Sequence, residues 1–327
     1  MVDIKSHTSK NNTEHTQTNY YALAGTTVKI IHKDDVLAKN IIDEFKPYAA
    51  KPQKDVDWTI TLGPNIREPL LPKKAVRLAL RDDDESIYKY DNKSYICKDD
   101  LFFIVVDDVN KVLDINYSRY DLRIELRTRF FIKWIFINGA EAKGLTYIHG
   151  AAVQYHGKNI VITGEAGSGK SSSMLRFVSD GAKIISDDSV LFIGDKIFPF
   201  YMKTALSPDF SKRFNMMSGA LKEDLYVDMK SDIRDIDLII FPRMWNSDTS
   251  DVRKIDYKNA LLNLMHIYKR EVKFNPLFDW DRVDPQAHKK LFASYSALLE
   301  NARCYEFYAG FDEKEVRKKI LELADEN

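Results

Sequence analysis

The sequence is short of several things, and each shortage closes off a class of explanation. Only two cysteines, Cys97 and Cys304, stand among 327 residues. They lie far apart and match no metal-ligand spacing, which excludes a disulfide scaffold and a structural zinc site and leaves reduced thiols in a cytoplasmic protein as the expectation. Neither sign of charge prevails, since 49 basic side chains face 49 acidic ones. A balanced surface gives no electrostatic reason to hold nucleic acid or an anionic membrane. Long apolar runs are missing too: the stretch 121–138 is rich in Leu, Ile, Phe and Trp but interrupted by Arg123, Arg127 and Arg129, so it suits a buried helix rather than a membrane span. No repeat with a period of about 20 to 50 residues is visible, which excludes solenoids and propellers. An Asn-Lys-x-Asp guanine signature is also lacking, because Met229-Lys230-Ser231-Asp232 has no Asn, and this argues against a GTPase.

What is present is concentrated between residues 145 and 193. The apolar run Ile160 to Thr163 suits a buried strand, and it feeds directly into Gly164-Glu165-Ala166-Gly167-Ser168-Gly169-Lys170-Ser171, followed by the helix-like Ser172 to Val178. This is a phosphate-binding loop in its required strand-to-helix setting. Its glycines admit positive φ, so several N–H groups can point at one anion, and the helix N-terminus adds partial positive charge. Lys170 is placed to reach the β- and γ-phosphates, and the Ser171 hydroxyl to ligate Mg²⁺. Asp187 and Asp188 follow Lys170 by 17 and 18 positions and close the strand-like run Ala182 to Ser186. An acid pair at a strand's end can hold Mg²⁺ and accept a proton from an attacking hydroxyl. His149 precedes Lys170 by 21 positions and ends another strand-like run, Leu145 to Ile148.

Taken together, Ile148-His149-Gly150-Ala151-Ala152-Val153, the loop from Gly164 to Ser171 and Ser186-Asp187-Asp188 resemble, in order and spacing, the HPr kinase/phosphatase family and its relatives with the phosphoenolpyruvate carboxykinase-like P-loop fold. Ala302 to Phe307 and a closing helix extend the likeness more weakly. The resemblance implies a mixed α+β chain of α/β type, with a P-loop core on a mixed sheet and ATP and Mg²⁺ as cofactors. Residues 164 to 172, Ser172 included, would bind nucleotide, Ser171 and Asp187 would hold the metal, and Asp188 would act as base. His149 would orient the phosphoryl group or share the proton. The chain departs from the family in having Ser172 where a Glu follows the loop serine, and in lacking the family's C-terminal dephosphorylation signature. Kinase activity therefore carries over better than phosphatase activity. The implied acceptor is a serine, and the first half of the chain looks more like that of kinases accompanying ribosomally made peptides than like HPr kinase itself. A peptide or protein serine is the leading acceptor. A small-molecule hydroxyl stands as the alternative, as does a regulator that hydrolyses nucleotide without transfer. Homo-oligomerisation stays open.

Around this core, residues 1–19 are polar and read as a mobile tail without the apolar centre of a signal peptide, its His7 and His15 belonging to the tail rather than to a metal site. Short alternating runs from Tyr20 to Tyr117, with helical spacing from Asp35 to Phe45, predict a small, mostly antiparallel sheet. The cluster 81–85 lacks a calcium-loop pattern and reads as a solvated turn. Gly139 and Gly144 suggest a boundary near residue 140, giving an N-terminal domain over 20–140 with a bridging helix and a P-loop domain over 141–327. In the latter, 190–193 and 196–200 form a hairpin around Gly194-Asp195, and 202–231 form a long functional loop. Residues 235–243 read as a core strand ending at Arg243, either a clamp for the transferring phosphoryl group or an ordinary surface arginine. Helices over 259–272, 288–299 and 313–323 and a strand over 304–308 complete the reading, with His266 and His288 on helices as packing or surface residues.

Overall fold

The computed structural model describes residues 16–64, 71–81, 85–98, 101–200, 205–206, 219–220, 225–227, 234–272 and 285–325. These fall into two compact units, one reaching Ala22 and resuming over Thr27–Ile132, the other made of Leu23–Thr26 and the chain from Lys133 onward. The division lies inside a helix, between Ile132 and Lys133, where the sequence expectation set it near residue 140.

The first unit is built on an eight-stranded sheet in the order β1-β2-β3-β8-β7-β6-β5-β4. Its strands are β1 (Gln17–Leu23), β2 (Thr26–His32), β3 (Trp58–Pro64), β4 (Val76–Arg81), β5 (Glu85–Tyr90), β6 (Lys93–Lys98), β7 (Phe102–Asp107) and β8 (Val112–Tyr117). From β4 to β8 the pairings are antiparallel, as the alternating runs predicted. The pairs β2/β3 and β3/β8 are parallel, the exceptions in a mostly antiparallel sheet. For β2/β3 the cause is helix α1 (Val36–Phe45), capped by the Asp35 carboxylate accepting from Ala38 N at 2.9 Å, which carries the chain back to the same end of the sheet. Leu37, Ala38, Ile41 and Phe45 are its buried face. Strand β1 already begins at Gln17, so 17–19 pair in the sheet rather than trail from it. His7, His15 and the acids 82–84 lie outside the described residues.

Helix α2 (Leu122–Ala142) carries the division between the units. Beyond it come β9 (Thr146–Ile148), β10 (Gly150–Tyr155), β11 (Lys158–Thr163), α3 (Lys170–Ser179), β12 (Lys183–Ser186), β13 (Val190–Ile193) and β14 (Lys196–Phe198). The two-residue strands β15 (Ala205–Leu206), β16 (Gly219–Ala220) and β17 (Arg234–Asp235) precede β18 (Leu238–Met244) and β19 (Asp251–Lys254). Helices α4 (Tyr257–Val272) and α5 (Pro285–Leu299), strand β20 (Arg303–Ala309) and helix α6 (Glu313–Asp325) close the chain.

A six-stranded sheet runs β12-β10-β11-β18-β20-β19, with β11, β18 and β20 mutually parallel and the flanking pairs antiparallel. Its central strands are apolar on both faces because both are covered. Val161, Ile239 and Phe241 pack with Leu264 of α4 and Leu291 and Tyr295 of α5. The alternate positions Ile160, Ile162, Leu238 and Ile240 are equally buried and point to the other face, where α3 presents Met174, Leu175, Phe177 and Val178. A second sheet, β17-β14-β13-β9, shares the first of these cores through Ile148, Val190 and Phe192. The expected hairpin is β13/β14, with Gly194 at φ +58°. The single strand expected over 235–243 is split instead. Residues 236 and 237 belong to neither half, the Asp237 carboxylate accepting from Asn159 N at 2.7 Å, and β17 pairs with β14 while β18 pairs with β11. Most of 202–231, including Met216 and Met217, lies outside the described residues.

Candidate active site

Two of the places where the chain passes between the four-stranded and six-stranded sheets are set side by side by the pairing registers. β9 belongs to the four-stranded sheet and β10 to the six-stranded one, so the crossing residue is His149. β12 and β13 repeat the same step in the opposite order, crossing at Asp187, Asp188 and Ser189. Ile148 pairs with Val190 in one sheet and Ala152 with Ser186 in the other, so the histidine and the acid pair are held across a common seam. His149 Nδ1 lies 3.4 Å from Asp188 Oδ1. Lys133, from α2, donates to Asp188 Oδ2 at 2.5 Å. Asp188 sits at φ +63°, a left-handed conformation that Asp tolerates better than most residues but that surrounding contacts must maintain.

The loop from Gly164 to Gly169 starts at the same seam. Thr163, the last residue of β11, donates through Oγ1 to the His149 carbonyl at 2.8 Å, tying the loop's entry to the crossing histidine. A Cβ on Gly164 would meet Ser168 Oγ at 2.6 Å, and Gly167 and Gly169 take φ of +76° and +101°. Gly169 is the N-cap of α3, which has no side-chain cap, so the helix's first N–H groups are left to a ligand. Lys170 folds over the loop, donating to the carbonyls of Gly164 at 2.9 Å and Glu165 at 3.0 Å. A cleft of about 330 Å³ opens here, lined by 167–173, Arg176, Met244, Ala309 and Gly310. Ser168 Oγ, on its wall, is buried without a hydrogen-bonding partner. Such a cradle, with an uncommitted hydroxyl and a backbone held at positive φ by its glycines, fits the phosphates of a nucleotide.

Ser171 is exposed and Asp187 partly buried. Among the described residues no group of three or more His, Cys, Asp or Glu side chains could cage a metal. A hydroxyl and a carboxylate are hard oxygen donors, the set Mg²⁺ takes when phosphates complete its shell, so the residues present fit that ion.

Loss of hydration works to raise the Asp188 carboxyl, but Lys133, His149 and Lys170 outweigh it and hold the group below the usual carboxylate range. The acid is therefore an anion in a field of three cationic or imidazole side chains.

No family model matches the chain. Among curated proteins, it is 40% identical over 76 residues to the HPr kinase/phosphorylase of Clostridium acetobutylicum, covering 23% of this chain and 25% of that protein. It is 28% identical over 123 residues to the one from Lachnoclostridium phytofermentans, covering 36% and 37%, and 35% identical over 75 residues to the one from Clostridium tetani, covering 23% and 25%. The chain is related to the HPr kinases. The matches span from a quarter to about a third of the relatives' length. The solved HPr(Ser) kinase/phosphatase of Coxiella burnetii aligns over 40% of this chain and 99% of its own, at 16% identity and a TM-score of 0.20, too low to bear on either fold or function.

In this HPr kinase relative the structure brings together His149, Asp188 and, through its charge, Lys170. Arg243 goes elsewhere. It stands at the carboxyl end of β18, but its guanidinium donates to Glu306 Oε1 and Asn263 Oδ1, both at 3.0 Å, and the neighbouring Met244 lines the cleft at the loop instead. Glu306 is held below its ordinary range despite partial desolvation, because Tyr308, Arg243 and Asn263 all donate to it.

Two residues at the site escaped the sequence reading. Lys133 was passed over inside an apolar helix, although a lone lysine between Ile132 and Trp134 is itself a signal, since a buried ammonium needs a partner. His266, read as packing or surface, places Nε2 3.0 Å from Glu165 Oε1 of the loop. No local pattern announces that contact, because α4 and the loop are far apart in the chain.

Proposed function

We propose that this protein is an ATP- and Mg²⁺-dependent kinase that transfers the γ-phosphoryl group to a serine hydroxyl of a peptide or protein in the cytoplasm. The observation that carries the reading is the seam where Asp188, flanked by Lys133 and His149, stands within electrostatic reach of the loop lysine Lys170. A carboxylate so placed suits one task in particular, receiving a proton beside a bound triphosphate.

The loop N–H groups and Lys170 bind and orient the β- and γ-phosphates. Ser171 and Asp187 would hold Mg²⁺, which when bound neutralises charge on those phosphates. The serine oxygen bonds to the γ-phosphorus as the bond to the β-phosphate oxygen breaks, ADP leaves, and the serine proton passes to Asp188. His149, on the other carboxylate oxygen, orients the acid and can share that proton. Ser172 in place of a glutamate, with no dephosphorylation signature, supports one-way transfer.

The test is incubation with ATP, Mg²⁺ and serine peptides encoded by adjacent genes, read by mass spectrometry. Gain of one phosphate, about 80 Da, on a serine is the expected result. Phosphate release without a labelled product would replace the kinase reading with a hydrolysing regulator, and label on a metabolite would make the acceptor a small molecule.

A further inference from the structure

We propose that Lys133 is a positioning residue for phosphoryl transfer, its ammonium fixing the Asp188 carboxylate in the orientation from which it meets the acceptor hydroxyl. The inference rests on the reading of Asp188 as the base.

Lys133 stands in the middle of α2, followed by Trp134, Ile135, Phe136 and Ile137, all buried. Its own side chain is 14% exposed while that of Asp188 is 50% exposed. A pair serving only to hold the fold would gain most by covering both partners. Here the cation is sheltered and the anion is left open. The two carboxylate oxygens have different partners, Oδ2 accepting from Lys133 at 2.5 Å and Oδ1 facing His149 Nδ1 at 3.4 Å, and two contacts from two elements fix the plane of the carboxylate. The backbone beneath needs that help, because at φ +63° Asp188 occupies a sparsely populated well held by its surroundings. α2 is a long regular helix and the crossing at 187–189 is a loop, so the contact ties the mobile kind of element to the rigid kind. Lysine suits the task, since a compact ammonium with three rotatable donors can follow one oxygen while leaving the other free.

The test uses the full chain with Mg·ATP and water as acceptor, measuring phosphate release, together with backbone amide NMR of Asp188 and His149, which needs no turnover. Lys133→Met keeps the length of the side chain and removes the charge. It is expected to lower kcat about 10- to 100-fold, the cost of a misplaced reacting group, to leave KM for ATP unchanged, and to shift the amide signals of residues 149 and 188. Lys133→Arg, which restores the charge, is expected to recover most of the loss and guards against a variant that fails only by unfolding. Three outcomes overturn the proposal: Lys133→Met with wild-type amide shifts, a rise in KM for ATP matching the loss in kcat, or no recovery by Lys133→Arg. Asp188→Asn in parallel separates the two readings. If it turns over at the wild-type rate, Asp188 is not the base and the positioning role falls with it. If it is inactive while Lys133→Met is normal, the base stands and the positioning role alone is lost.

Discussion

Lys170 holds its ammonium over the loop, donating to the carbonyls of Gly164 and Glu165, and in the proposed reaction its loss deprives the phosphates of a cation. We expect Lys170→Ala to reduce phosphoryl transfer about 100-fold or more, with an unchanged thermal unfolding midpoint. Near-normal turnover would remove the loop from the mechanism. Asp188 allows a cleaner substitution than most acids, because Asn shares its tolerance of left-handed φ and its shape while surrendering the proton-accepting charge. Asp188→Asn should keep ATP affinity and lose turnover, whereas Asp187→Asn should raise the Mg²⁺ concentration needed for half-maximal rate. Metal titrations combined with single-turnover assays separate the two. What was legible at this scale was residue type at fixed spacing. His149, Lys170 and Asp188 could be picked out because each ends or follows a local element, while Lys133 could not be paired with Asp188 because 55 positions separate them.

At the scale of elements, β10 and β11 pair so tightly at the end beside His149 that one methyl group matters. A Cβ on Gly150 would stand 2.6 Å from the Ile162 carbonyl and 3.1 Å from Thr163 Cβ, in the centre of a covered sheet. Gly150→Ala should therefore destabilise the protein by about 1–3 kcal/mol, as overpacking does, and lower turnover by displacing the adjacent His149. Denaturant titration and kinetics on the same preparation check both. The C-terminal end of α2 supplies a different kind of prediction. Burial pushes the Glu141 carboxyl up to about 7, against a smaller opposing pull from Lys290. A carboxyl raised in the folded state contributes stability that is full below its unfolded pKa and is lost as pH rises through the folded value. Glu141→Gln should accordingly raise the unfolding midpoint at pH 8 and leave it nearly unchanged at pH 4.5. An equal shift at both pH values would show that Glu141 does not titrate in this way. Element types were largely legible from periodicity, including α2, the β13/β14 hairpin and the closing helix. The split of 235–243 was not, because it lies in which strands the two halves join, β17 pairing with β14 and β18 with β11.

For the molecule as a whole, the sequence by itself determined the glycine-rich loop, the strand before it, the helix after it and the candidate acid and histidine. Each of these is a constraint on consecutive residues: glycines where positive φ is needed, apolar runs where a strand is covered on both faces, a lysine and a serine at the first turn of a helix. The tertiary structure alone decided which of the flagged side chains meet. It turned Arg243 to Glu306, 63 positions away, and set His266 against the loop residue Glu165, 101 positions away. It made β2 and β3 parallel by returning the chain through α1, and it placed Lys133 on Asp188. The physical reason is common to all four. Local backbone preference is written in neighbouring residues, whereas contacts across a sheet or between a helix and a loop follow from strand order and register, which are fixed only when the whole unit buries its core.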